Sequence, residues 1–223
     1  MEIAPIIGIS RFRIGTDGKG ITSLVCFHGC PMRCKYCLNP HSINPSTPYH
    51  VLSTHDLLEH LTKDELYYYA TGGGVAFGGG EPLLYSSFIE EILQLGASRW
   101  NITVETSLNI SLLYITKLFN YNVHFIVDIK DMNPNIYKNY TSCTNEQVTN
   151  NLEWIANHGL TGKVSIRLPL IHTYNTVENQ IQSRGELEAM GYKDIEEFEY
   201  ITNIIEYKDG RKRTMQYSPC CAI

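Results

Sequence analysis

Cys26-Phe27-His28-Gly29-Cys30-Pro31-Met32-Arg33-Cys34-Lys35-Tyr36-Cys37-Leu38-Asn39-Pro40 is the stretch around which the rest of the chain falls into place. Within it, Cys30, Cys34 and Cys37 stand as C-x3-C-x2-C, too close together to be scattered core cysteines. One loop can wrap all three around a single inorganic centre. Thiolates bind iron–sulfur clusters, and a [4Fe–4S] cubane has four irons to ligate. Three thiolates would leave one iron open to an outside ligand. The same thiols also admit a zinc site, which needs a fourth ligand. Cys26, His28 and His41 are the nearby candidates. Immediately upstream, Ile21 to Phe27 is apolar and β-branched and reads as a buried strand. The triad therefore follows the C-terminal end of a strand.

Downstream, strands and helices alternate. Residues 38–52 carry three prolines and read as a loop. Ser53-Thr54-His55-Asp56 has the pattern of a capping box, which predicts a helix to about Tyr69. Val75-Ala76-Phe77 is a short strand left through Gly78-Gly79-Gly80-Glu81-Pro82. Ser87 with Glu90 predicts the start of the next helix, and Gly96 its end. Strands are then expected at 101–106, 123–130, 163–170 and 195–201. Helices are expected at 110–119, from about Asn145 to Gly159, and at about 176–189. Strands alternating with helices imply parallel pairing with right-handed crossovers. The expected fold is α/β, a partial (β/α)6 barrel open on one side, built as one domain over 1–223. Its core covers about 12–201, and a tail covers about 205–223. In such folds chemistry gathers at the C-terminal ends of the strands. The triad, Gly78–Gly80 with Glu81, Glu105 with Thr106, and Asp128 with Lys130 all fall at strand ends, and Arg167 falls within a strand.

The chain has 223 residues, 43% hydrophobic and 18% charged, with a net charge of −5. That balance gives no electrostatic case for a nucleic-acid partner. No apolar run is long enough for a membrane span, and the first residues lack the pattern of a signal peptide. A cytoplasmic location is expected. Seven cysteines with four clustered favour metal binding over a disulfide framework in a reducing compartment. Cys26 reads as a core residue, Cys143 as an inert loop cysteine, and Cys220 and Cys221 as part of the tail.

The C-x3-C-x2-C spacing, with Tyr36 just before the last cysteine, resembles the radical SAM superfamily. Asp17-Gly18-x-Gly20 and Gly29-Cys30-Pro31-x-x-Cys34-x-x-Cys37-x-Asn39-Pro40 narrow the resemblance to the glycyl-radical-enzyme activating enzymes. Phe77-Gly78-Gly79-Gly80-Glu81-Pro82, Val127-Asp128-Ile129-Lys130-Asp131 and Ile166-Arg167-Leu168-Pro169 resemble further segments of that branch. The resemblance spans about residues 12–200. Thr22 stands where the branch usually has Arg or Lys, and Cys26 where it has Phe; a late histidine of the branch has no counterpart near Tyr200–Ile204.

The resemblance implies a [4Fe–4S] cluster on Cys30, Cys34 and Cys37 and S-adenosylmethionine (SAM) on its open iron. It implies that Tyr36 contacts the adenine and that Asn39 helps hold the loop. Carbonyls of Gly78, Gly79 and Gly80 and the Glu81 segment would meet the amino group of SAM. Glu105, Asp128, Lys130 and Arg167 would meet its charged groups. A monovalent cation on Glu105, Thr106 and Asp128 is implied as well. The activity implied is hydrogen-atom abstraction from a glycine of a partner glycyl radical enzyme. No cysteine lies between Cys37 and Gly78, so no auxiliary cluster is expected there. An external flavodoxin- or ferredoxin-like electron donor is therefore expected. Modification of a ribosomal peptide or small molecule, and a non-catalytic metal-binding module, are the competing readings.

Overall fold

The computed structural model describes residues 1–200, with the backbone of two short strands, Ile204–Glu206 and Lys212–Thr214. The tail expected at about 205–223, with Cys220 and Cys221, otherwise lies outside the described residues. In chain order the elements are β1 (Ile3–Ile14), β2 (Ile21–Phe27), β3 (His50–Ser53), α1 (Thr54–Thr62), α2 (Glu65–Thr71) and β4 (Gly74–Gly79). Next come α3 (Ser86–Gln94), β5 (Asn101–Thr106), α4 (Leu112–Thr116), β6 (Val123–Asp128), α5 (Pro134–Thr141) and α6 (Glu146–Asn157). β7 (Val164–Leu170), α7 (Val177–Ala189) and β8 (Ile195–Glu199) complete the sheet and its covering helices.

The eight-stranded sheet has the order β3-β1-β2-β4-β5-β6-β7-β8. From β2 to β8 every pairing is parallel, which makes the six-strand arc of a partial (β/α)6 barrel. The arc's two faces follow the strand period of two. Val25, Phe27, Phe77, Val104, Phe125, Val127, Ile166 and Leu168 point into the main core. Leu24, Cys26 and Ala76 form a separate small cluster on the other face, the one that carries the charged side chains described below.

Several elements depart from the expectation. β1 and β3 are antiparallel additions beside β2. The sequence hides β1 because its register shifts between Ile6 and Gly8 and between Ser10 and Arg13, and Phe12 takes φ +59°. Such bulges break the alternation that marks a strand. The capping box forms as expected: the Ser53 hydroxyl accepts the Asp56 N–H, and the Asp56 carboxylate accepts the Ser53 N–H. The helix it starts does not reach Tyr69, because it breaks before Asp64. That buried carboxylate accepts from Arg11 at 2.7 Å and from the Ser23 hydroxyl at 3.2 Å, and so leaves the helical path.

Ser87 and Glu90 do not cap α3. The helix begins at Ser86 with no side-chain cap, and both side chains instead meet Lys117, at 2.8 and 3.6 Å. The helix expected at 110–119 is α4 followed by a 3-10 turn. α5 was not expected at all. Its cap is Asn133, whose side-chain oxygen accepts the N–H groups of Asn135 and Ile136, with Pro134 in the first turn.

Candidate active site

The loop after β2 is clamped from three sides by backbone hydrogen bonds. Gly80 N–H donates to Phe27 O at 3.0 Å and Glu81 N–H to Gly29 O at 2.8 Å, which fixes the loop to the end of β4. Gly29 N–H donates to Ser42 O, and His28 N–H to Pro5 O on β1. On the far side, Arg33 and Lys35 donate their N–H groups to the last carbonyls of α5, Thr141 O and Tyr140 O, at 2.9 and 3.0 Å. These acceptors are the ones a helix end leaves without an intrahelical partner. A helix the sequence did not advertise is thus a principal support of the cysteine loop.

Cys30, Cys34 and Cys37 are free thiols and half-buried. Burial is the main influence on each: it pushes Cys30 up to about 12 and Cys34 up to about 11, and raises Cys37. Local groups pull the other way. The Met32 N–H favours the Cys30 thiolate, the Asn39 N–H favours that of Cys37, and the Lys130 ammonium acts on Cys34 and Cys37. A metal centre bound here would displace the protons that burial favours on the three thiols. Among the described residues no three His, Cys, Asp or Glu side chains converge on one metal ion. A tetrahedral zinc site would need such a convergence, whereas a cubane takes each thiolate on a different iron. Of the candidate fourth ligands, His28 is engaged with Asn44 O and packs on Tyr49. Cys26 is buried on the inward face of β2.

The glycine run has a demonstrable packing reason. A Cβ at Gly80 would sit 2.1 Å from Gly29 O, and one at Gly79, whose φ is +89°, would sit 2.9 Å from Cys26 Cα. At Gly78 it would meet the Glu105 carboxylate at 3.0 Å. Only glycine lets the end of β4 press this closely against β2 and the loop. Glu81, expected near the SAM amine, is buried and fully engaged. One carboxylate oxygen accepts the Thr106 hydroxyl at 2.7 Å and the Leu83 N–H; the other accepts the Ser107 N–H and hydroxyl at 3.0 and 2.7 Å. Its carboxylate ties the ends of β4 and β5 together. Thr106, expected on a cation, also accepts the Leu108 N–H at 3.0 Å, so its hydroxyl is already used in both directions.

The inward face of the arc carries the charges. Arg167 on β7 donates to Glu105 on β5 at 2.9 Å and to Thr16 O in the β1–β2 turn at 2.6 Å, and lies 3.7 Å from Glu196 on β8. Burial pushes Glu105 up to about 7 against the opposing pull of Arg167. Lys130 pairs with Asp128 at 3.5 Å. Burial lowers the Lys130 ammonium, but Asp128, Cys34 and Cys37 outweigh it and the net shift is upward. A cation therefore stands between a carboxylate and two of the three thiols. Arg13 and Asp17 pair across the same turn. Asn39 precedes the 3-10 turn Pro40–Ser42, and its carbonyl accepts the Ser42 N–H and hydroxyl. Tyr36 is ringed by Tyr140 and Tyr174, at 6.5 and 5.8 Å between ring centroids. The sequence reading missed Tyr140 and Tyr174. The pair Asn133-Pro134, a cap followed by proline, was the signal that could have placed Tyr140 on a helix beside the loop.

A profile of the Radical SAM superfamily matches residues 24–181, from β2 into α7. The chain belongs to the radical SAM superfamily. It is 26% identical over 242 residues to the (2S)-3-sulfopropanediol dehydratase activating enzyme of Klebsiella oxytoca, covering 81% of this chain and 75% of that one. It is 29% identical over 171 residues to the pyruvate formate-lyase-activating enzyme of Clostridium pasteurianum, covering 77% of this chain and 71% of that one. QueE from Escherichia coli shares the fold, with a TM-score of 0.58 at 17% identity, over 89% of this chain and 84% of that one. Membership implies an enzyme that uses a [4Fe–4S] cluster and SAM, and the cysteine loop is the donor set that fits the cluster. No described helix of this radical SAM chain is long and apolar enough to cross a membrane.

Proposed function

We propose that this radical SAM enzyme abstracts a hydrogen atom from a glycine of a partner glycyl radical enzyme, as a cytoplasmic activating enzyme. The observation that carries the reading is the free cysteine triad, locked between the glycine end of β4 and the C-terminus of α5 at the mouth of the arc. The names of its relatives supply the substrate class.

Bound there, a reduced cluster and SAM would supply a 5′-deoxyadenosyl radical through one-electron cleavage of the S–C5′ bond. The chain holds the parts in place. Cys30, Cys34 and Cys37 would hold the cluster. Lys130, fixed by Asp128, offers a cation for the SAM carboxylate, and the Gly78–Gly80 segment offers backbone carbonyls for its amine. Glu105 and Arg167 set the charge of the inner face. Tyr36 and Asn39 shape the loop around the nucleoside. The hydrogen-bonded set Ser165, His124 and Asp194 lies at the opposite, N-terminal ends of the strands, away from the cysteine loop, and the radical chemistry asks for no nucleophile. The electron comes from a flavodoxin- or ferredoxin-like protein. A monovalent cation would draw on Glu105, Thr106 and Asp128; the Thr106 hydroxyl keeps one lone pair beside its bonds to Glu81 and the Leu108 N–H.

Anaerobic reconstitution with iron and sulfide, followed by SAM and dithionite, should yield 5′-deoxyadenosine, and Cys30→Ala should yield none. Adding a candidate glycyl radical enzyme should then give the glycyl doublet in electron paramagnetic resonance. Equal 5′-deoxyadenosine from both chains would sink the cluster assignment. Turnover without a doublet, across a panel of glycyl radical enzymes, would sink the glycine assignment alone.

A further inference from the structure

The arc of strands is open between β8 and β2, yet one set of side chains spans the gap. Tyr200, just beyond β8, donates its hydroxyl to the carbonyl of Tyr36, in the cysteine loop after β2. Tyr140 on α5 places its hydroxyl 3.3 Å from the same carbonyl, so the two tyrosine hydroxyls share one acceptor. Tyr200 is itself fixed, because its N–H donates to Leu170 O at the end of β7 at 2.8 Å. Tyr140 is buried, and Tyr174 packs edge-on against both Tyr140 and Tyr36, with centroids at 5.1 and 5.8 Å. Neither tyrosine hydroxyl is required by the fold of its own element. Both converge on the peptide between Tyr36 and the ligand Cys37.

We propose that Tyr140 and Tyr200 are positioning residues: their hydroxyls form a clasp across the open side of the arc that holds the Tyr36–Cys37 peptide in the setting that receives SAM. The clasp works through the loop and not by touching iron. A carbonyl held by two hydroxyls cannot rotate its peptide plane, so the Tyr36 ring and the Cys37 sulfur keep one mutual orientation. Without the hydroxyls the thiols still bind iron, since Arg33, Lys35, Gly29 and Glu81 keep the loop anchored by backbone bonds. What is lost is preorganisation for the second ligand, and that cost falls on SAM affinity.

The proposal rests on the cluster-and-SAM reading of the loop. Tyr140→Phe, Tyr200→Phe and the double variant keep the rings and remove only hydroxyls; Tyr69→Phe on α2, remote from the site, is the control. Each reconstituted enzyme is assayed for iron per chain, thermal midpoint, the resonance spectrum of the reduced cluster with and without SAM, and the kinetics of 5′-deoxyadenosine formation. Iron content should match wild type. The SAM dissociation constant and KM should rise roughly tenfold with kcat within about twofold, the scale of one lost hydrogen bond. The double variant should be no weaker than the worse single variant, because the hydroxyls act as one unit. SAM affinity within about twofold of wild type in both single variants overturns the clasp. So does a loss that follows the thermal midpoint and iron content, which would make the tyrosines merely structural. Wild-type enzyme that takes up iron but no SAM overturns the clasp and the underlying reading together.

Discussion

A methyl group on Gly80 would lie 2.1 Å from the Gly29 carbonyl oxygen, so even alanine must push the cysteine loop off the end of β4. Gly80→Ala is expected to cost about 1–3 kcal/mol in chemical denaturation and to lower iron uptake several-fold. Gly162→Ala, in open space, should change neither. Glu81 offers a sharper contrast. If its carboxylate is a strand-end tie, Glu81→Gln strands a hydroxyl or N–H donor from Thr106, Ser107 or Leu83, at about 1–3 kcal/mol. If it binds SAM instead, affinity would fall while the unfolding midpoint stayed put.

His124 carries a pH signature. Burial lowers its imidazole below the usual 6.5, with Lys19 adding to that and Asp194 opposing. The unfolded chain then takes a proton near pH 6.5 that the folded chain refuses, so stability is present above that pH and is lost as pH falls through it. Urea titrations between pH 7.5 and 5.5 should show this fall, and His124→Gln should flatten it. At this scale the sequence was informative about identity and silent about partners. Arg167 could be placed on a strand, but its bond to Thr16, 151 positions away, depends on a turn whose path no local pattern records.

At the scale of elements, legibility followed regularity. β2 is buried along nearly its whole length and reads as one apolar run, as strands covered on both faces do. β3 has four residues inside a proline-rich stretch and carries no usable period. α5 has only eight residues and buries Tyr137, Tyr140 and Thr141, a stripe too short for a periodic signal. Its cap is the better handle. Asn133→Ala should cost about 1 kcal/mol of stability, read from the denaturation midpoint. Because the other end of α5 accepts the Arg33 and Lys35 N–H groups, that variant should also release reconstituted iron to a chelator faster than wild type. An unchanged release rate would mean that α5 is not a support of the loop.

For the whole molecule, the order of the parallel strands was legible because each apolar run is followed by breakers, and right-handed crossovers leave few alternatives. The clustering of chemistry at strand ends was legible for the same reason. The antiparallel β1 and β3 edge was not, since it adds strands that no βαβ unit predicts. Nor was the second tie across the arc, the Arg167 guanidinium holding β5, β8 and the β1–β2 turn.

Tyr200 and Tyr36 are 164 positions apart, and α5 also lies far downstream of the cysteine loop, so both supports form late. The β1–β2 hairpin, by contrast, is local and can pair within moments of synthesis. A nascent chain would therefore display Cys30, Cys34 and Cys37 long before α5 exists to frame them. Iron offered early would meet an open, unframed set of thiols, and iron offered late a finished cradle. Biogenesis, and not only catalysis, thus depends on a helix far downstream of the thiols: durable cluster insertion waits for α5. Ribosome-arrested chains that stop before Pro134 should lose iron to a chelator, and arrested chains that expose α5 should keep it.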